Sequence, residues 1–205
     1  VARPREHSHD DFIDTAIRIV DEEGLEALTL RRLGAEVGAS FTAMYTYFPS
    51  RDHLIAALID RMATEIISEI EPAGDSVKEQ LVSVAVASRR ALSRHPRLAA
   101  TFVVSTAPAP GGNAATLAVV ALLEQAGLSG LDLVRAYRII ESYVFGSSIF
   151  DFGAAPEHLS IRRQRYCDTG HPAFRAVANS DKAIGTHNDE AFLHGFDLLL
   201  SALGI

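Results

Sequence analysis

The stretch TLRRLGAEVGASFTAMYTYFPSRDHL, Thr29 to Leu54, decides the reading of this chain. Thr29 is a natural cap for a short helix whose Leu30, Leu33 and Val37 point inward, and Gly38 closes it. After a tight Gly38–Ala39 turn, Ser40 caps a second short helix that Pro49 stops. Two short helices joined by a few residues that include Gly make a helix-turn-helix. On the second helix Met44, Tyr45 and Phe48 form the inner face. Phe41, Thr42, Thr46 and Tyr47 are left facing outward, where such a helix meets base edges and phosphates. A capped N-terminus, as at Thr29, also presents backbone N–H groups to an anion.

Outward from this segment the pattern stays helical. Upstream, residues 1–9 read as an arm, and Ser8 or Asp10 caps a helix with Phe12, Ala16, Ile19 and Val20 on one face, ended by Gly24. Downstream, Ser50 starts a helix through Leu54, Leu58, Met62 and Ile66, broken at Pro72, Gly74 and Asp75. Further helices are predicted over about 76–95 and 98–104, after a 108–112 loop to Gly127, and from Ser129 to about Phe152. Residues 153–187 read as irregular with one short helix near 157–166, and a last helix runs from about Asn188 to Leu203. Period-two alternation is missing throughout, so the expected fold class is all-α. The expected organisation is a three-helix helix-turn-helix domain over 1–50 and a larger helical effector-binding and dimerisation domain over 51–205.

Charge argues against a general attraction to polyanions. The net charge is -7, and the first sixty residues hold six arginines against eleven carboxylates. Contact with nucleic acid must therefore come from a local cluster, for which Arg31, Arg32 and Arg51 are the candidates. The single cysteine, Cys167, excludes an intrachain disulfide and fits a reducing compartment. Neither a leader-like apolar run nor a membrane-length one occurs, so a cytoplasmic protein is expected. The eight histidines, among them His7 and His9 in the arm and His194 on the last helix, show no metal-ligand spacing. There is no GxSxG, P-loop, CxxC or HExxH, and neither an enzyme activity nor a cofactor or metal is expected.

The Thr29–Leu54 segment resembles the helix-turn-helix of the tetracycline-repressor (TetR) family of transcription regulators. Thr29, Leu33, Ala35, Val37, Gly38, Ser40, Tyr45, Tyr47, Phe48, Arg51 and Leu54 stand in that register, preceded by Ala16 and the Glu22-Glu23-Gly24 helix end. The resemblance implies that Thr29, Arg31, Tyr45, Tyr47 and Arg51 hold phosphates and that Phe41, Thr42 and Thr46 face bases. Arg32 and Ser40 complete the candidate DNA-binding set. Phe41 departs from the usual small or polar residue; an aromatic can touch a thymine methyl but cannot make a bidentate bond to G or A.

Shorter islands in the second half resemble the family's C-terminal domain: Arg89-Arg90-Ala91-Leu92, the loop from Thr106 to Pro110, and residues 191–197. Independently, the helix over 131–152 is apolar nearly all round, which requires burial on two sides, one of them expected to be a subunit interface. The resemblance implies a four-helix bundle built from this helix and the last one of each subunit, with Leu199 as an interface position and Gly146, Ser147, Ser148 and Gly195 permitting close approach. It also implies an effector cavity, for which Phe102, Val103, Thr106, Leu117, Tyr137, Tyr143 and Phe150 are the candidate lining. Val103 and Ile67 stand where tetracycline repressors carry drug-binding histidines, so a mainly apolar effector held without metal is expected.

The function these readings point to is a ligand-responsive regulator, a homodimer on palindromic operator DNA released by a small effector. The competing readings are a helical ligand-binding protein without DNA binding, and an enzyme with a histidine or carboxylate site in the second domain.

Overall fold

The structure is a computed structural model, and it describes residues 8–71, 74–104, 109–151 and 156–205. All regular structure among these residues is helical: α1 (His9–Glu23), a 3-10 turn (Leu25–Ala27), α2 (Leu30–Val37), α3 (Phe41–Tyr47) and α4 (Arg51–Ser68). There follow α5 (Val77–Arg94), α6 (Pro96–Val104), α7 (Pro110–Gln125), α8 (Gly130–Asp151), α9 (Pro156–Asp168), α10 (Pro172–Val177) and α11 (Asp181–Ala202).

The chain forms two compact units. One runs to Ser68 and takes back His95–Thr116; the other is Glu69–Arg94 with Leu117–Ile205. In the first, α1 supplies Phe12, Ala16, Ile19 and Val20 to a core shared with Leu28, Leu33, Met44, Phe48, Leu54, Leu58 and Met62, all but closed to solvent. Each of these side chains other than Ala16 contributes roughly 1.5–3 kcal/mol by leaving water. The sequence reading started its second domain at residue 51, whereas α4 packs on α1 within the first unit. Arg61 of α4 ties that pair further, bridging Asp14 at 2.8 Å and Asp10 at 3.4 Å.

Several local expectations are revised. His9 belongs to α1, because Ser8 and Asp11 form a reciprocal capping box: Asp11 N donates to Ser8 Oγ and Ser8 N to Asp11 Oδ2. Pro96 does not merely break a helix; it opens α6, as proline can in a first turn where its missing N–H costs nothing. Gly111 and Gly112 lie inside α7, their N–H groups donating to Asp60 Oδ1 at 2.7 and 3.3 Å. A Cβ on Gly111 would come 3.0 Å from that oxygen. The segment read as irregular carries α9, α10 and the start of α11. His171 caps α10 ahead of Pro172, and Ser180 Oγ accepts from Ala183 N at 3.1 Å to begin α11 seven residues before Asn188.

In the second unit α8 packs against α5 and α11, and α11 against α9. One side of α8, with Ala136, Ile140, Val144 and Ser148, is buried; the other exposes Leu131, Val134 and Ile139. Of the small residues expected to let subunits approach, Gly195 and Ser148 serve the chain's own interior. A Cβ on Gly195 would sit 2.2 Å from Tyr143 Oη, and Ser148 Oγ donates to Val144 O. Phe192 and Phe196 are buried and Leu199 is half-buried, whereas Leu198 is 57% exposed. The outward stripe of α11 thus passes through Leu198, and Leu199 is not its centre.

Candidate nucleic-acid interface

The helix-turn-helix is held by three caps and one close crossing. Thr29 Oγ1 accepts from Arg32 N at 3.1 Å, and Ser40 Oγ accepts from Ala43 N at 3.2 Å. Gly38 ends α2 in the left-handed region at φ 77°, where a β-carbon would be strained, and Ala39 N donates to Gly34 O. Gly34 lies against α3: a Cβ there would meet Met44 Cγ at 2.9 Å and Ala39 O at 3.3 Å. The sequence reading passed over Gly34, although a glycine in a helix interior is costly enough to signal a close approach.

This frame fixes which side of α3 faces out. Met44 and Phe48 are fully buried, with the Phe48 ring edge-on to Phe12 at 6.1 Å. Thr42, Tyr45, Thr46 and Tyr47 are exposed. Tyr45, read from sequence as an inner residue, is 45% exposed, since it lies one position beyond the buried Met44. Tyr47 keeps one side against the Phe12 ring, 4.8 Å away, which holds the exposed tyrosine in place. Thr46 Oγ1 donates to Thr42 O at 3.2 Å on this exposed side. Phe41 opens α3; its side chain lies outside those described.

The arginines differ sharply in what they already hold. Arg32 bridges Glu23 at 2.8 Å and Glu36 at 2.9 Å; Arg18 reaches Glu22 and Glu36, both at 3.0 Å. The hydrogen bond that Arg18 donates to Glu36 raises the Arg18 pKa above its ordinary value, with the charge of Glu22 next in effect. Arg51, expected at a phosphate, turns inward: Nε donates to Leu28 O at 3.0 Å and Nη2 to Leu25 O at 2.8 Å. It caps the 3-10 turn that leads into α2, a need that the sequence pattern did not reveal. Arg31 is exposed and makes no ion pair or hydrogen bond among the described residues. Of the three arginines singled out from sequence, it has its whole guanidinium available.

The residues expected to line an effector cavity are spread over α6, α7 and α8 and beyond. Thr106 lies outside the described residues, as do the side chains of Phe102, Val103 and Phe150. Leu117 is 64% exposed. Tyr137 donates to Glu141 Oε1 at 3.2 Å, and Tyr143 donates to Phe192 O at 2.9 Å while stacking on the Phe192 ring. A cleft of about 450 Å³ in the second unit, between Glu69, Glu71 and Gly74 on one side and α5 on the other, takes none of these seven. No group of three or more metal-binding side chains occurs among the described residues, and no described helix is long and apolar enough to cross a membrane.

Comparison with known proteins agrees with this geometry. Residues 12–58 match the family model for bacterial regulatory proteins of the tetR family, and residues 71–204 match that for the tetracyclin repressor-like C-terminal domain. An HTH-type transcriptional regulator of Saccharopolyspora erythraea is 28% identical over 142 residues, 68% of this chain and 59% of the relative. The HTH-type transcriptional repressor DrrR1 of Streptomyces coeruleorubidus is 27% identical over 139 residues, 68% of this chain and 52% of its own length. The match thus spans between half and three-fifths of the length of these two relatives. Among solved structures, a possible TetR family regulator from Streptomyces coelicolor superposes with a TM-score of 0.73 at 25% identity, covering 96% of this chain and 98% of that one. ActR from the same species, solved in complex with actinorhodin, gives a TM-score of 0.74 at 22% identity, covering 97% and 96%. Capped helices, glycine turn, outward α3 face and both family matches lead to one conclusion: the chain belongs to the tetracycline-repressor family of bacterial regulatory proteins.

Proposed function

We propose that the protein is a cytoplasmic, ligand-responsive transcriptional repressor that binds palindromic operator DNA as a homodimer and is released by a small, mainly apolar effector. The observation that carries this reading is the outward face of α3: Thr42, Tyr45, Thr46 and Tyr47 exposed on a helix pinned by Met44 and Phe48, with Arg31 of α2 available beside it. Thr42 and Thr46 suit base edges and thymine methyls, the tyrosine hydroxyls and Arg31 suit phosphates, and the N–H groups at the Thr29 cap suit an anion. Residues up to about 50 then touch DNA, and later ones hold the effector and the second subunit.

One such motif reads only a few base pairs, so specificity calls for two copies, with α3 helices about 34–36 Å apart on a two-fold site. The outer faces of α8 and α11, with Leu131, Val134, Ile139, Leu193 and Leu198 exposed, offer an apolar surface for that association. Release by a ligand is carried over from the family: DrrR1 is named a repressor and ActR is described with actinorhodin. The experiment is selection of bound duplexes from a random pool, then a screen for compounds that displace the winner. A two-fold consensus with salt-sensitive binding is expected. Enrichment of no duplex sequence would remove the proposal.

A further inference from the structure

The sequence of α3 is FTAMYTY, and what it leaves out decides how this helix can read DNA. None of its residues is Arg, Lys, Asn, Gln, Asp or Glu. Those are the side chains that single out a base by hydrogen bonds: Arg and Lys on guanine, Asn and Gln on adenine, Asp and Glu on cytosine. The exposed side chains described on α3 are Thr42, Tyr45, Thr46 and Tyr47 instead. A lone hydroxyl bonds to any base that offers it a donor or an acceptor, so it tells few bases apart.

Thr46 is narrower still. Its one hydroxyl proton goes to Thr42 O at 3.2 Å, so what the side chain offers a base is an acceptor oxygen and a methyl group. The oxygen suits the amino groups of adenine and cytosine alike, whereas thymine alone carries a methyl in the major groove. Thr42, also exposed, brings a second methyl from one turn earlier, and the apolar Phe41 opens the helix. Neighbouring cations do not make up for the missing polar readers. Arg51 donates to Leu25 O and Leu28 O, and Arg32 is paired with Glu23 and Glu36. Seven residues amount to about 10 Å of helix, the length of about three base pairs, so α3 decides a short window in each half-site.

We propose that α3 selects its site by thymine methyl groups, through Thr42 and Thr46, and that each operator half-site carries A·T pairs where this helix lies. This rests on the reading of the protein as a repressor on palindromic DNA and names the bases that it selects. The tyrosine hydroxyls and Arg31 add affinity at phosphates, and the choice among sequences falls to apolar contact.

The probe is the duplex enriched from the random pool, remade with deoxyuridine in place of thymidine one position at a time. The exchange removes the C5 methyl and leaves every hydrogen-bonding group of the base pair in place. Fluorescence anisotropy on the full chain is expected to show a loss of about fourfold for each methyl that α3 covers, and of about fifteenfold when both half-sites change together, the scale of one and two buried methyls. Thr46→Ser keeps the hydroxyl and drops the methyl, so it should become indifferent to uracil at one of the sensitive positions. Thr46→Val keeps the methyl and should retain the wild-type sensitivity. Thr42→Ser makes the same comparison at the other position, and carries the test should Thr46→Ser not fold. An effect of the missing methyl on the shape of the duplex alone would persist in both serine variants, and such persistence overturns the proposal. So does a wild type that binds uracil and thymine duplexes equally. Enrichment of a two-fold site without thymine in either half removes this inference and leaves the repressor reading standing. Enrichment of no sequence removes both.

Discussion

Replacing Arg31 with Ala takes away an exposed guanidinium that holds nothing else among the described residues, whereas Arg51→Ala takes away two hydrogen bonds that the fold itself uses. If Arg31 meets one phosphate in each half-site, its loss lowers the slope of log K against log salt by about 0.9 per subunit, or about 1.8 for a two-fold operator. Between 50 and 200 mM salt the wild type should therefore lose roughly twelvefold more affinity than the variant. The unfolding temperature should move by about two degrees at most, as for other surface substitutions. Arg51→Ala instead strips charged donors from Leu28 O and Leu25 O at 3.0 and 2.8 Å. At about 1.5 kcal/mol each, that is a loss of about 3 kcal/mol, or roughly 6–12 °C for a chain of this size. Fluorescence anisotropy on a labelled operator at four salt concentrations, with thermal unfolding of the same samples, reads both quantities. An unchanged salt slope in Arg31→Ala would refute the assignment, as would an Arg51→Ala protein that keeps its unfolding temperature while losing slope.

Three further substitutions follow from the packing. Leu198→Arg should shift a dimer to monomer in sedimentation velocity at micromolar concentration, and Leu199→Arg should do so less, since Leu198 is the more exposed; the reverse order would misplace the interface. Gly34→Ala drives a methyl to within 2.9 Å of Met44 Cγ and should cost about 1–3 kcal/mol and weaken operator binding by displacing α3; wild-type affinity and stability together would show that the crossing is slack. Gly195→Ala sets a Cβ 2.2 Å from Tyr143 Oη and should destabilise by a similar amount, about 1–3 kcal/mol. Adding Tyr143→Phe should recover part of it in denaturant titration, and strict additivity of the two changes would contradict the clash.

Much of the first sixty residues was legible because local rules and global fold agree there. Ser8, Thr29, Gly38, Ser40 and Pro49 each do in the structure what their side-chain chemistry prescribes, and Met44 and Phe48 are buried on α3 as their spacing implies, with Tyr45 the exception. The arginines were less legible. Arg51 and Arg31 are alike in sequence, and only the carbonyls of a 3-10 turn twenty-three and twenty-six residues earlier separate their roles. Residues 153–187 misled for another reason. Gly170, Gly185, Pro172 and four arginines look like punctuation and charge, yet Pro172 starts a helix and Gly185 sits within one. The effector list was the least legible. An apolar helix such as α8 offers many aromatics, and which of them turn to the chain's own neighbours, as Tyr143 does toward Phe192, is a tertiary outcome.

The pairing of Arg18, Arg32 and Arg61 with carboxylates of their own unit has a consequence for how such a protein would travel through a genome. Random sequence attracts proteins through unpaired cations, and it outnumbers any operator by a million or more to one. A surface whose positive charge is largely cancelled at home idles little on the wrong sites. If the chain binds an operator, fewer copies would then be held on the wrong sites, and a modest number would suffice to keep the operator filled. The same economy narrows the margin at the right site, where shape and a handful of side chains must supply what bulk charge does not. A small loss of fit is then enough to let go.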